Sequence, residues 1–187
     1  MIETVVSAFV IARLKGYKLL HILKEWSIYP VLICAVTYII FEWMIWQGDY
    51  RCVEYANIFK GIYLGTFIIL AFHYNQTSKL VGGLILVWLG YLLNYIAIQA
   101  NNGFMPVFVS NSWATGYVKP DTFSRALEHG DFHVLGDMYT KMIPLCDVWD
   151  LGWCVLSVGD ILVRFFVFIV LYCSIKQSNK NKETNIK

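Results

Sequence analysis

The sequence predicts an all-α integral membrane protein, a polytopic bundle of about five transmembrane helices with one long outer segment. Three observations carry that reading. Hydrophobic residues make up 58% of the 187-residue chain and charged residues 15%, against roughly 45–50% and ~25% in soluble domains. The apolar residues gather in runs long enough to cross a bilayer. The polar residues gather in short turns, one long segment and the C-terminal tail.

Residues 2–23 form the first candidate span, apolar at the start and amphipathic around Lys15 and Lys18. As a span its lysines snorkel; otherwise it lies along the interface. Glu3, the lack of an A-x-A site and the run into Arg13 and Lys15 speak against a signal peptide, so the segment is expected to be retained. Residues 27–46 are a clearer span, with Pro30 in the first turn and Trp43 and Trp46 at the far end. Residues 57–74 and 80–98 read as a helical hairpin closed by N-Q-T-S-K. Gly61 and Gly65 stand four apart, a spacing that permits close helix contact. Residues 100–154 form the outer segment. Residues 155–175 are the last span, 21 residues or about 31 Å as a helix. The polar tail 176–187 is expected to be disordered. The whole chain up to residue 175 reads as one membrane domain.

Basic residues orient the bundle. With the C-terminus cytoplasmic, nine lie inside and five outside, and Arg164 lies in the membrane. The expected location is the bacterial cytoplasmic membrane. Residues 100–154 are then outside, with six acids against three bases, a charge that excludes nucleic acid as a partner. The lipid bilayer is one expected partner; a membrane protein or a second copy of the chain is the other.

Within the outer segment, Asn102 and Gly103 predict a turn, and Pro106 an extended strand after it. Asp121 is placed to cap a short amphipathic helix, T-F-S-R-A-L-E-H. Trp113, Trp149 and Trp153 suit the headgroup layer. Three boxes stand out: Asn102, Gly103, Met105, Pro106 and Val107; then His133, Thr140, Lys141, Leu145 and Asp147; then Ser157, Gly159 and Asp160. In these the chain resembles a family of small polytopic bacterial membrane proteins classed as a domain of unknown function. The resemblance covers nearly the whole chain. It departs at Cys146, where the family tends to have Gly, and in the longer V-W-D-L-G-W-C before the last box. It implies the architecture and brings no known activity.

Candidate chemistry centres on Asp160, an acid in the last apolar run. A carboxylate at the bilayer centre costs roughly 2.5–3.5 kcal/mol on insertion scales, so it is paired or functional. The preferred reading is an ion pair with Arg164 at i, i+4, joined by Ser157. The competing reading is catalytic, an aspartyl dyad of Asp160 with Asp147 or Asp137. That arrangement is similar to lipoprotein signal peptidase. Here, however, Asn101–Gly103 matches its first box loosely, G-D-M-Y-T lacks G-N-x-x-D-R, and S-V-G-D replaces N-x-A-D. Glu42 reads as an acid snorkelling to the interface. His129 and His133 stand four apart, but Gly130 interrupts them and the usual glutamate is missing, so no metal site is assigned. A His133–Cys146 thiol pair finds little support.

No cofactor is expected. The function expected from the sequence is non-enzymatic, a membrane component that recruits a partner or senses through its outer segment. Its candidate binding residues are Asn102, Gly103, Met105, Pro106, His133, Ser157 and Arg164. The alternatives are the aspartyl hydrolase and an oligomeric transporter.

Overall fold

The computed structural model describes residues 1–184, with side chains through 182. Its helices are α1 (Ile2–Leu14), α2 (Leu19–Leu23), α3 (Tyr29–Gln47), α4 (Ala56–His73), α5 (Thr77–Ala100), α6 (Asn111–Ala114), α7 (Thr122–Glu128) and α8 (Val158–Thr184). Four short strands lie between α5 and α8: β1 (Met105–Val107), β2 (His133–Leu135), β3 (Trp149–Asp150) and β4 (Val155–Leu156). Four helical segments are long and apolar enough to span a bilayer: Trp26–Gln47, Arg51–His73, Thr77–Ala100 and Val158–Lys182. The protein is a multi-pass membrane protein with a helical bundle.

The expected fifth span over residues 2–23 is not one helix. Gly16, at φ +85°, ends α1, and the Tyr17 N–H reaches back to the Ala12 carbonyl at 3.1 Å. That left-handed cap stops α1 after 13 residues, about 20 Å, which is short of the ~30 Å hydrocarbon core. The tail also differs from expectation, because α8 continues to Thr184. Asn179 explains this: its side chain accepts the Lys18 N–H at 2.8 Å and donates to the Lys18 carbonyl at 3.2 Å. Residues 185–187 of the expected tail lie outside the described residues.

The chain divides into two compact units. The first comprises Met1–Ile39, Ile58–Leu86 and the chain from Arg164 on. Its core holds Ile28, Tyr63, Phe67, Phe166, Val170 and Leu171. Gly83 lets the Phe166 ring lie against α5, since a Cβ there would overlap the ring. Arg164 pairs with Glu3 of α1 at 2.6 Å.

The second unit comprises Ile40–Asn57 and Val87–Val163, and it contains the polar segment as a folded cap. Ala97, Met105 and Cys146 form its apolar centre, packed by Phe108, Phe132 and Leu145. Its α7 side is tied down by three bonds: Tyr117 to Glu42 at 2.8 Å, Tyr50 to Thr122 at 2.9 Å and Arg125 to the Gly48 carbonyl at 2.5 Å. Asp121 does stand at the start of α7, but its carboxylate pairs with Arg125 at 3.5 Å and makes no side-chain cap.

Candidate functional site

The site is built on β1. Asn102 (φ +58°) and Gly103 (φ +89°) turn the chain out of α5, and the Gly103 N–H bonds back to the Ile98 carbonyl at 2.9 Å. Pro106 holds the next residues extended. On one side β1 pairs in parallel with β2, Met105 opposite His133. On the other side Val107 bridges to Asp147; the Asp147 N–H donates to Pro106 at 3.1 Å, and Phe108 donates to Asp147 at 2.8 Å. Residues two apart on a strand share a face, so the pairings of Met105 and Val107 place His133 and Asp147 on the same side.

The His133 ring lies between two acids. Nδ1 is 2.6 Å from Asp131 Oδ1, and Nε2 is 3.5 Å from Asp147 Oδ2. Asp147 is nearly inaccessible, its side chain 5% exposed, whereas that of His133 is 35% exposed. Burial alone would lower the histidine pKa. The Asp131 bond and the charges of Asp131, Asp147 and Asp160 outweigh burial and raise it above the ordinary 6.5. Burial likewise opposes ionisation of Asp131, yet its bonds to the His133 ring and to the Phe132 and His133 N–H groups hold its pKa low. The centre therefore favours a charged ring among carboxylates.

Asp160 stands in the first turn of α8, because residues 155–156 of the expected span form β4 and pair with β3. Ser157 precedes that helix and its Oγ accepts the Asp160 N–H at 2.9 Å. The S-V-G-D box is thus an N-terminal helix cap, and an acid there suits the helix dipole. The Ser157 hydroxyl also donates to Asn94 Oδ1 at 2.8 Å, while Asn94 Nδ2 faces Asp160 Oδ1 at 3.5 Å. Gly159 permits this approach of α5 and α8, since a Cβ there would overlap Asn94 and the Gly90 carbonyl.

Among the residues expected from the sequence, the cap brings His133 to Asp147 and sets Asp160 within electrostatic reach of the ring. Met105 and Pro106 form the strand between His133 and Asp147, and Asn102 and Gly103 form the turn before it. Asp137 lies in an exposed turn, bonded to the Tyr139 N–H at 2.9 Å. Arg164 belongs to the first unit, with Glu3. The Cys146 thiol points to the Lys141 and Met142 carbonyls at 3.5 Å, and burial raises its pKa. Those contacts favour a protonated, structural thiol. Among the described residues no three His, Cys, Asp or Glu side chains are grouped to hold a metal ion.

Sequence reasoning passed over Asn94 and Asp150, and weighed Asp131 only as an acid near the His129 and His133 pair. The Asn94 signal was a lone amide inside an apolar run, and that of Asp131 an acid two residues before His133. Asp150 organises the β3 side of the cap, accepting the N–H groups of Ser110, Ser112 and Gly152 at 2.7, 2.9 and 2.8 Å.

Comparison with curated proteins and with solved structures found no match. A family model does match, over residues 19–172, and this span takes in the four long helices up to the last turns of α8 as well as the whole cap. On that match the chain belongs to the family of unknown function DUF5317.

Proposed function

We propose that the protein is a non-enzymatic component of the bacterial cytoplasmic membrane, C-terminus inside, that recruits a membrane-associated protein through its outer cap. The observation that carries this reading is the loop after β2. Met138 and Tyr139 are 87% and 81% exposed, and Leu135, Met142 and Ile143 are exposed beside them in sequence. Exposed apolar side chains cost solvation, and a folded cap that keeps them outward has a use for them. The loop is held in place: Asn101, at the end of α5, donates to the Lys141 carbonyl and accepts the Lys141 N–H, each at 2.9 Å. A pre-ordered apolar loop binds with a smaller entropy cost than a mobile one.

The test is a photocrosslinking residue at Tyr139 or Met142 in intact cells, with Glu128 on α7 as the comparison site. The expected result is a discrete protein adduct from the loop only, lost when Met138→Asp is added. Adducts with lipid alone would end the reading.

The second reading is the aspartyl hydrolase. It draws support from Asp147, a nearly inaccessible carboxylate 3.5 Å from His133 Nε2. Its test is the membrane proteome of Asp160→Asn cells, in which a specific uncleaved precursor is expected to accumulate. An unchanged proteome counts against it.

A further inference from the structure

A second polar site, independent of the cap, lies on the first unit. The turn between α4 and α5 and the end of α8 line a groove of about 410 Å³, with Gln76, Ser78, Lys79, Lys176 and Gln177 among its walls. Its depth in the membrane follows from the helices. The turn joins two candidate spans, and the apolar run of α8 ends at Ile175, one residue before Lys176. The groove therefore opens at the level of the lipid headgroups.

Its chemistry is that of an anion site with one acceptor added. No acid is among the lining residues, and neither Lys79 nor Lys176 is in an ion pair among the described residues. Glu25, an acid of the same unit, is engaged by His73 at 3.9 Å and Lys182 at 3.7 Å. The 24-residue α5 begins here, so its first-turn N–H groups and its dipole favour negative charge. Gln76 supplies the independent observation. It is 8% exposed, its Nε2 donates to Ser174 Oγ at 2.9 Å, and its Oε1 has no hydrogen-bond partner among the described residues. A buried carbonyl oxygen of this kind calls for a donor. Lysines and helix N–H groups select a phosphate, and the amide oxygen selects a hydroxyl next to it.

We propose that this groove binds a glycerophosphate group, supplied by the head of an anionic phospholipid. The phosphate sits between Lys79, Lys176 and the first turn of α5, and a headgroup hydroxyl donates to Gln76. Basic pockets beside membrane helices hold such headgroups through the same charges.

The experiment is native mass spectrometry of the full chain in detergent, titrated with phosphatidylglycerol and, separately, with phosphatidylcholine. Phosphatidylglycerol is expected to bind preferentially. The Lys79→Gln/Lys176→Gln variant should lose about tenfold or more in affinity, while Lys15→Gln/Lys24→Gln, equal in charge, should not. Gln76→Leu should erase the preference over phosphatidylmethanol, which has the same charge and no headgroup hydroxyl. Displacement of the lipid by millimolar glycerol 3-phosphate, dependent on the same two lysines, would support the site with a soluble source for its ligand. Equal binding by the Lys79/Lys176 variant, or an equal loss in the Lys15/Lys24 variant, overturns the proposal.

Discussion

Asp131 Oδ1 lies 2.6 Å from Nδ1 of His133, two residues along the chain and at the start of β2. This contact makes the cap sensitive to pH. The raised His133 pKa means that the charged ring contributes its full stability below 6.5, and that this contribution is lost as pH rises through the higher folded value. Asp131 is depressed below 3.8, so its contribution is present above that value and is lost as pH falls through the folded one. The pair is therefore strongest between the two. Thermal unfolding in detergent should show a midpoint that falls from about pH 6 to about pH 9, with a shallower fall in His133→Gln. Parallel slopes for the two proteins would remove the histidine from the account.

Ser157 caps α8 and is also bonded to Asn94 of α5. Ser157→Ala removes both contacts and should cost about 1 kcal/mol for the cap alone, read as a lower unfolding midpoint. Asp160→Asn keeps the Ser157 bond and weakens the interaction with the helix dipole, about 0.3–1 kcal/mol, along with the Asn94 contact and the charge acting on His133. A larger loss in Asp160→Asn than in Ser157→Ala would mean that the carboxylate has a further role.

What was legible in the sequence follows one line: features set by neighbours in the chain were visible. The long spans came from continuous apolar runs, and the turn at Asn102–Gly103 from residues that accept positive φ. Contacts set by distant partners were not. The Arg164 guanidinium reaches Glu3, 161 residues away, and no local pattern pointed to that acid. Likewise the pairing of β1 with β2 joins segments 28 residues apart through three residues each, too short for any periodic signal. The break at Gly16 was visible only as one glycine in a tolerable helix, and the helical end of α8 depends on Asn179 finding Lys18. For the candidate site His133, Asp147, Ser157 and Asp160 were visible, whereas Asn94 and the contacts that group these residues were not.

Asp150 gathers four donors on one carboxylate: the N–H groups of Ser110, Ser112 and Gly152 and the Ser112 hydroxyl, the last at 2.5 Å. Burial opposes its ionisation, but these bonds hold its pKa below 3.8. Asp150→Ala strands those donors and should destabilise the cap by about 2–3 kcal/mol. Proteolysis of the chain between α5 and α8 should quicken well before the bundle unfolds. Simultaneous loss of cap and bundle would show that the cap does not open by itself.

Glycines at two kinds of place separate close packing from open surface. At Gly159 a Cβ would overlap Asn94 and the Gly90 carbonyl, and at Gly90 it would come within 2.5 Å of the Gly159 carbonyl. Backbone cannot move aside as a flexible side chain does, so Gly159→Ala should cost about 1–3 kcal/mol through overpacking. Gly61 has nothing within 4 Å of such a Cβ and lies in the interior of α4. Gly61→Ala should therefore be neutral or stabilising by up to about 1 kcal/mol, the helix preference for alanine. Unfolding midpoints of the two variants in the same detergent test the contrast. A destabilised Gly61→Ala whose loss depends on protein concentration would identify this face of α4 as a contact between copies.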